Sequence, residues 1–222
     1  MNANDLSVLT EEWSQWCVTA DRSEPGWESD FPKWHALIGA ARLAMTHGDL
    51  SIETVTALAT CWAASHETEE LLSFATENLD DCWPAIQQLS RATSPNCRWQ
   101  IYAAASGAGS RAESLLRRGL MDEDPYARRR ALLSLAAIRP SDAQLLAERY
   151  VNDPEPYMRQ AAIEMIAASP DETYRRNALD ALRGDPVEHV RAAAEVAWNR
   201  LISDRAEGDD GRRPEARDHR SR

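Results

Sequence analysis

The sequence predicts an all-α protein, a stack of antiparallel helical pairs, from three observations. Four stretches repeat one another: Cys97-Arg98-Trp99-Gln100-Ile101, Ala127-Arg128-Arg129-Arg130-Ala131, Met158-Arg159-Gln160-Ala161-Ala162 and Val190-Arg191-Ala192-Ala193-Ala194, with their key arginines 30, 31 and 32 residues apart. A period of this size belongs to stacked small units, each contacting its neighbours, and not to one globule around one core. Apolar residues recur at helical spacing, and no β-branched run alternates with period two. Finally, the 11 Pro and 9 Gly are modest in number and fall mostly between apolar runs, as turns between helices require.

The elements follow in order. A helix over 4–18 leads into a connection, Thr19 to Pro32, which holds Pro25-Gly26-Trp27 and reads as a loop before a helix over 33–47. The period then places helices over 51–65 and 67–78, 81–92 and 97–106, 110–120 and 126–138, 141–151 and 157–168, and 171–183 and 189–201. That makes about six pairs in a single domain, 1–202. Ser110-x-x-Glu113 and Ser141-x-x-Gln144 have the form of capping boxes at first-helix starts. Pro140 and Pro170 end the helices before them. Ser106-Gly107-Ala108-Gly109-Ser110 reads as a turn. Residues 203–222 hold almost no apolar side chain after Ala206, cannot offset their ordering entropy by burial, and read as a disordered charged tail.

Within each second helix, number the apolar residue before the arginine as zero. Positions 0, 4, 7 and 8 are then mostly small or apolar, as in Val190, Ala194, Ala197 and Trp198, which is one buried face of a helix. The pattern of Asp-Pro, a few residues, then apolar-Arg-x-x-Ala resembles the HEAT-repeat family of α-solenoids, well over 120–201, fairly over 81–119, and by period alone over 1–80. The resemblance implies a right-handed solenoid whose second helices line a concave surface. It also implies a ladder in which Asp122, Asp153 and Asp185 pair with Arg98, Arg128, Arg159 and Arg191 and hold the units together. Upstream the arginine slot falls on Thr68, and the ladder stops.

Charge separates the two halves. Residues 1–96 hold 15 Asp/Glu and 4 Lys/Arg, which accounts for the whole net charge of -11, while residues 97–222 hold 21 of each. Six of the eight Trp also lie in the first stretch. An acidic surface repels nucleic acid and anionic lipid and steers a basic partner inward. The single lysine against 24 arginines points to a GC-rich, bacterial genome and not to a physical requirement. Cys17, Cys61, Cys82 and Cys97 have no C-x-x-C spacing and read as buried thiols in a reducing cytoplasm. No run approaches the roughly 20 apolar residues of a membrane span, and the first residues lack the order of a secretory signal.

Chemistry finds little support. His35, His47, His66, His189 and His219 lack metal-ligand spacing, no phosphate loop is present, and no acid/base pair stands out. The reading is non-enzymatic, with no cofactor or metal. On the concave face that the resemblance implies, the outward positions would present Glu69, Glu70, Trp99, Gln100, Arg129 and Arg130, then Gln160 and Glu164, then Ala192, Ala193 and Val196. Trp99 beside Glu69 and Glu70 is the leading partner-binding patch, because a charge-ringed Trp suits a hot spot. Trp27, between Glu24 and Glu28, is either an exposed contact or a plug that folds its loop down. Leu6, Leu9, Trp13 and Trp16, and likewise Ile52, Val55, Ala59 and Trp62, read as buried stripes, and Trp34 as core.

The expected function is a protein-interaction module for a basic protein, in concrete form an inhibitor or immunity protein, an adaptor or a scaffold. Two alternatives come from the resemblance: a nucleic-acid-binding protein similar to HEAT-like DNA glycosylases, which the net charge opposes, and a protein similar to bilin lyases, for which no tetrapyrrole site is specified.

Overall fold

The computed structural model describes residues 3–210, with side chains described over 5–203. Among these there is helix and no strand. The α-helices are α1 (Ala3–Trp16), α2 (Trp34–His47), α3 (Ile52–Ala64), α4 (Glu70–Glu77), α5 (Leu79–Leu89), α6 (Pro95–Ala105), α7 (Glu113–Gly119), α8 (Pro125–Ile138), α9 (Ala143–Tyr150), α10 (Pro156–Ala167), α11 (Glu172–Leu182) and α12 (Glu188–Asp210). Three short 3-10 segments, Trp27–Asp30, Ser106–Ala112 and Pro140–Asp142, sit in the connections. The chain forms two compact units, Met1–Pro140 and Ser141–Arg222, where the sequence suggested a single domain. Arg139 leaves helical geometry at φ -130 and ψ 61, as the residue before a proline tends to do.

Helix starts follow from side chains that satisfy free amides. Pro95, Pro125 and Pro156 occupy the first helical turn, where a missing N–H costs nothing. Asp124 accepts from the Ala127 amide at 2.8 Å and Asp171 from the Tyr174 amide at 3.0 Å. The two expected capping boxes do not form. Ser110 lies inside a 3-10 segment, and Glu113 is occupied by Arg117 at 2.8 Å and Arg139 at 3.0 Å. The Ser106–Ser110 run is this 3-10 segment, which Gly109 breaks with φ 58, a conformation a side chain would strain.

In the first unit the helices upstream of α5 pair differently from the repeat register. α7 packs on α8 and α5 on α6, as the period requires. Going back, however, α6 rests against α3 and α5 against α2, so α2 and α3 stand where the preceding pair belongs. The short α4 is not the partner of α3; it packs on α6 and α2. The two helices differ in what they bury. α3 buries Thr54, Ala57, Leu58, Cys61, Trp62 and Ala64, enough for a core helix, whereas α4 buries only Leu71 and Ala75. The turn into α4 passes through Glu69 in the left-handed region at φ 52. α1 covers the outer side of this pair, against α2 and α3.

Close packing marks the regular part. An added Cβ at Gly119 would lie 2.7 Å from the Ala131 Cβ and 3.1 Å from the Tyr102 ring. Ala131 is fixed to α8, so Gly119→Ala must push α7 away from it. The overpacking cost of about 1–3 kcal/mol outweighs the gain in helix propensity of at most about 1 kcal/mol. A lowered midpoint in chemical denaturation is the expected result, and an unchanged midpoint would show that the helices part freely.

In the second unit α9 packs on α10, α11 on α12, and α10 on α12. The backbone of α12 continues to Asp210 and takes in the start of the segment read as a disordered tail. Propagating a helix that packing has already nucleated needs no further burial. Residues 211–222 of that tail lie outside the described residues.

Candidate partner-binding surface

Each repeated arginine faces its own turn, and Arg98 and Arg159 also reach the next turn's aspartate. Arg98 donates through Nη1 to the carbonyls of Ala92 and Thr93 at 2.9 and 2.7 Å. Its Nε and Nη2 form a fork on Asp122, both at 2.8 Å. Arg159 repeats the arrangement, with Nη1 on Asp153 O at 2.8 Å and a fork on Asp185 at 2.7 and 2.8 Å. Arg128 and Arg191 donate likewise to the carbonyls of Asp122 and Asp185. Each turn aspartate also accepts from the amide two residues on: Asp124 on Asp122, Glu155 on Asp153 and Val187 on Asp185. Asp122 gains a further bond from the Tyr102 hydroxyl at 2.8 Å. Paired, forked guanidiniums of this kind are committed to structure and are not free for a ligand.

The patch expected around Trp99 is not assembled. Trp99 is 7% exposed, edge-on to Tyr126 at 5.6 Å, with the Arg130 guanidinium 5.5 Å from its ring centroid. Gln100 is fully buried, and its Nε2 donates to Trp62 O at 2.6 Å and Asn96 O at 2.7 Å. Neither can meet a partner. The cause is that α6 is enclosed by α3, α4, α5 and α8. The segment 97–105, Cys-Arg-Trp-Gln-Ile-Tyr-Ala-Ala-Ala, has no polar face, which is the signature of a helix buried all round and the signal that could have revealed this.

Of the other expected positions, Glu69 is exposed. Glu70 accepts from the Trp34 indole at 2.8 Å and lies 3.6 Å from Arg42, so it ties α4 to α2. Arg129 and Arg130 are half-buried, Arg129 with its guanidinium 5.8 Å from the Tyr126 ring centroid. Trp27 stacks on Trp16 at 5.8 Å with Arg22 over its ring at 4.8 Å, which makes it a plug for its loop. Trp34 and Trp62 are buried, whereas Trp13 and Trp16 are only half-buried. All four cysteines are buried; desolvation pushes the Cys61 and Cys97 thiols up and raises Cys82 to about 11.

Two grooves bear on these positions, each within a single unit. In the second unit a groove of about 620 Å³ lies over α10, α11 and α12 and is lined by Gln160, Glu164, Ala192, Ala193 and Val196, among others. In the first unit a groove of about 600 Å³ runs along α3, between α1 with the Trp27–Asp30 turn and the α5–α6 turn. Its floor includes Val55 and Ala59, two residues of the stripe expected to be buried; a third, Ile52, is 89% exposed. The sequence reading missed Glu28, which lines this groove while 9% exposed.

Among the described residues no cluster of His, Cys, Asp and Glu could hold a metal ion, and no helix is long and apolar enough to cross a membrane. No curated protein and no solved structure matches the chain. Residues 84–167 match the family model for HEAT repeats, and they run from within α5 through α6, the α7–α8 and α9–α10 pairs, and include the Arg98–Asp122 fork. Residues 84–167 thus carry HEAT repeats, and the helical pairs there are consistent with an α-solenoid.

Proposed function

We propose that the chain is a non-enzymatic interaction module that binds a basic protein through its first unit, as an inhibitor, immunity protein or adaptor would. HEAT repeats generally serve protein–protein contact, and the observation that carries the reading here is charge placement. The net charge of -11 arises wholly within residues 1–96. Asp21, Glu24, Asp49, Glu53, Glu67 and Glu69 are exposed in that stretch. The cations in the same stretch are few, and Lys33 is already paired with Glu12 at 2.8 Å. Such a field raises the association rate of a positively charged partner and weakens within a Debye length of about 8 Å at physiological salt.

Capture of partners from the native cell at two salt concentrations tests this. The expected result is a basic protein retained at about 50 mM salt and lost at about 500 mM, where exposed charges are screened, with weaker retention by Glu67→Lys/Glu69→Lys. Retention that ignores salt, or capture of nucleic acid in place of protein, would overturn the reading.

A further inference from the structure

The groove of the first unit carries a carboxylate without a partner. Its floor is one face of α3, with Val55, Ala59 and Ala63 flanked by Thr56 and Thr60. One wall is Trp13 of α1 and Glu28 of the Trp27–Asp30 turn; the opposite wall, at the end of α5 and the turn into α6, carries Arg91. Glu28 is nine-tenths buried, and its Oε2 has no hydrogen-bond partner among the described residues. The Trp13 indole N–H is in the same position. A shielded carboxylate oxygen left unbonded is costly, and so is a shielded N–H donor.

The chain's own cations do not supply what Glu28 lacks. Arg22 donates to the Cys17 carbonyl and lies over Trp27. Arg91 is exposed, so water screens it, whereas Glu28 is withheld from water. A cation entering the groove therefore meets the carboxylate at short range in a low dielectric and the arginine only through solvent. The floor suits the methylene stem of a long basic side chain, which covers apolar surface while its head group stays polar.

We propose that this groove receives an arginine or lysine side chain of the partner protein, its cationic head pairing with the Glu28 carboxylate and its stem lying along Val55, Ala59 and Ala63. Trp13, in the wall beside Glu28, is the indole that reports its arrival. The proposal rests on the reading that a basic protein binds the first unit, and it adds the residue that would anchor it.

The probe is a short blocked peptide with a central arginine, set against the same peptide with citrulline, which keeps the shape and removes the charge. Indole N–H resonances are the readout, with Trp13 assigned through Trp13→Phe. The expected result is that the arginine peptide moves the Trp13 resonance, the citrulline peptide leaves it still, and Glu28→Gln weakens binding about tenfold or more. The remaining indole resonances report whether the variant keeps its fold. If Glu28→Gln disturbs them, Ala59→Leu, which fills the floor without touching the carboxylate, should block the arginine peptide instead. A still Trp13 resonance, equal binding of the citrulline peptide, or unweakened binding by both variants overturns the proposal. If salt-sensitive capture of a basic partner persists in Glu28→Gln at full strength, this anchor falls and the wider reading stands. If no basic partner is captured by the parent, the wider reading falls.

Discussion

Replacing Asp122 with alanine should cost about 3–5 kcal/mol of stability, the range for removing one partner of a buried pair. The Arg98 side chain is 8% exposed and that of Asp122 2%, so the guanidinium left behind could not turn to water. Two bonds of the fork, the Tyr102 hydroxyl and the Asp124 amide would all lose their acceptor. Asp122→Asn keeps an acceptor oxygen and should fall between. pH gives a second handle. Burial alone would raise the Asp122 carboxyl, but Arg98, the Asp124 amide and the Tyr102 hydroxyl outweigh it and hold it below the ordinary carboxylate value. A depressed folded-state pKa contributes stability above the unfolded value of about 4, and this is lost as pH falls through the folded one. The gap between parent and Asp122→Ala in denaturant titrations should thus be full near neutrality and shrink below about pH 4. A gap that stays constant into acid would mean that the charged fork contributes nothing.

Truncating Trp62 to alanine should cost a similar amount, about 3–5 kcal/mol, through lost burial and the cavity left behind. Trp62 is fully buried and belongs to α3, which packs against α1, α2, α5 and α6. Its carbonyl is also the acceptor for Gln100, so the backbone around it is held from α6. Unfolding followed by circular dichroism should show the loss. Trp62→Phe, which retains most of the volume, should recover more than half of it. A small effect of Trp62→Ala would mean that α3 is not the core helix described above.

The regular repeats are legible because their determinants are local. A proline or aspartate at each turn and an arginine six residues after the turn aspartate specify helix start, turn closure and rung within one stretch of chain, as in Asp153 with Arg159. The sequence therefore locates α6 to α11, and the start of α12, to within a few residues. Upstream, the determinants are contacts between residues far apart. Nothing near Glu70 indicates that it receives the Trp34 indole, and nothing near Gln100 names Trp62 as its acceptor. Extending the period across 51–78 thus paired α3 with α4, whose four apolar residues among eight give no sign that only Leu71 and Ala75 are buried. Trp99 was misjudged for the same reason, since its exposure depends on which helices surround α6. Glu28 was hidden among other carboxylates because one residue type serves both solvated faces and buried anchors.

The rungs also bear on how the chain reaches its fold. Arg98 and Asp122 are 24 positions apart, Arg159 and Asp185 26, and each arginine first closes a turn only five or six residues behind it. No rung waits for distant ends of the chain to meet. Short-range closure of this kind favours fast folding. It also suits a chain emerging from the ribosome, in which each turn is secured as soon as its arginine appears and each fork forms about two dozen residues later.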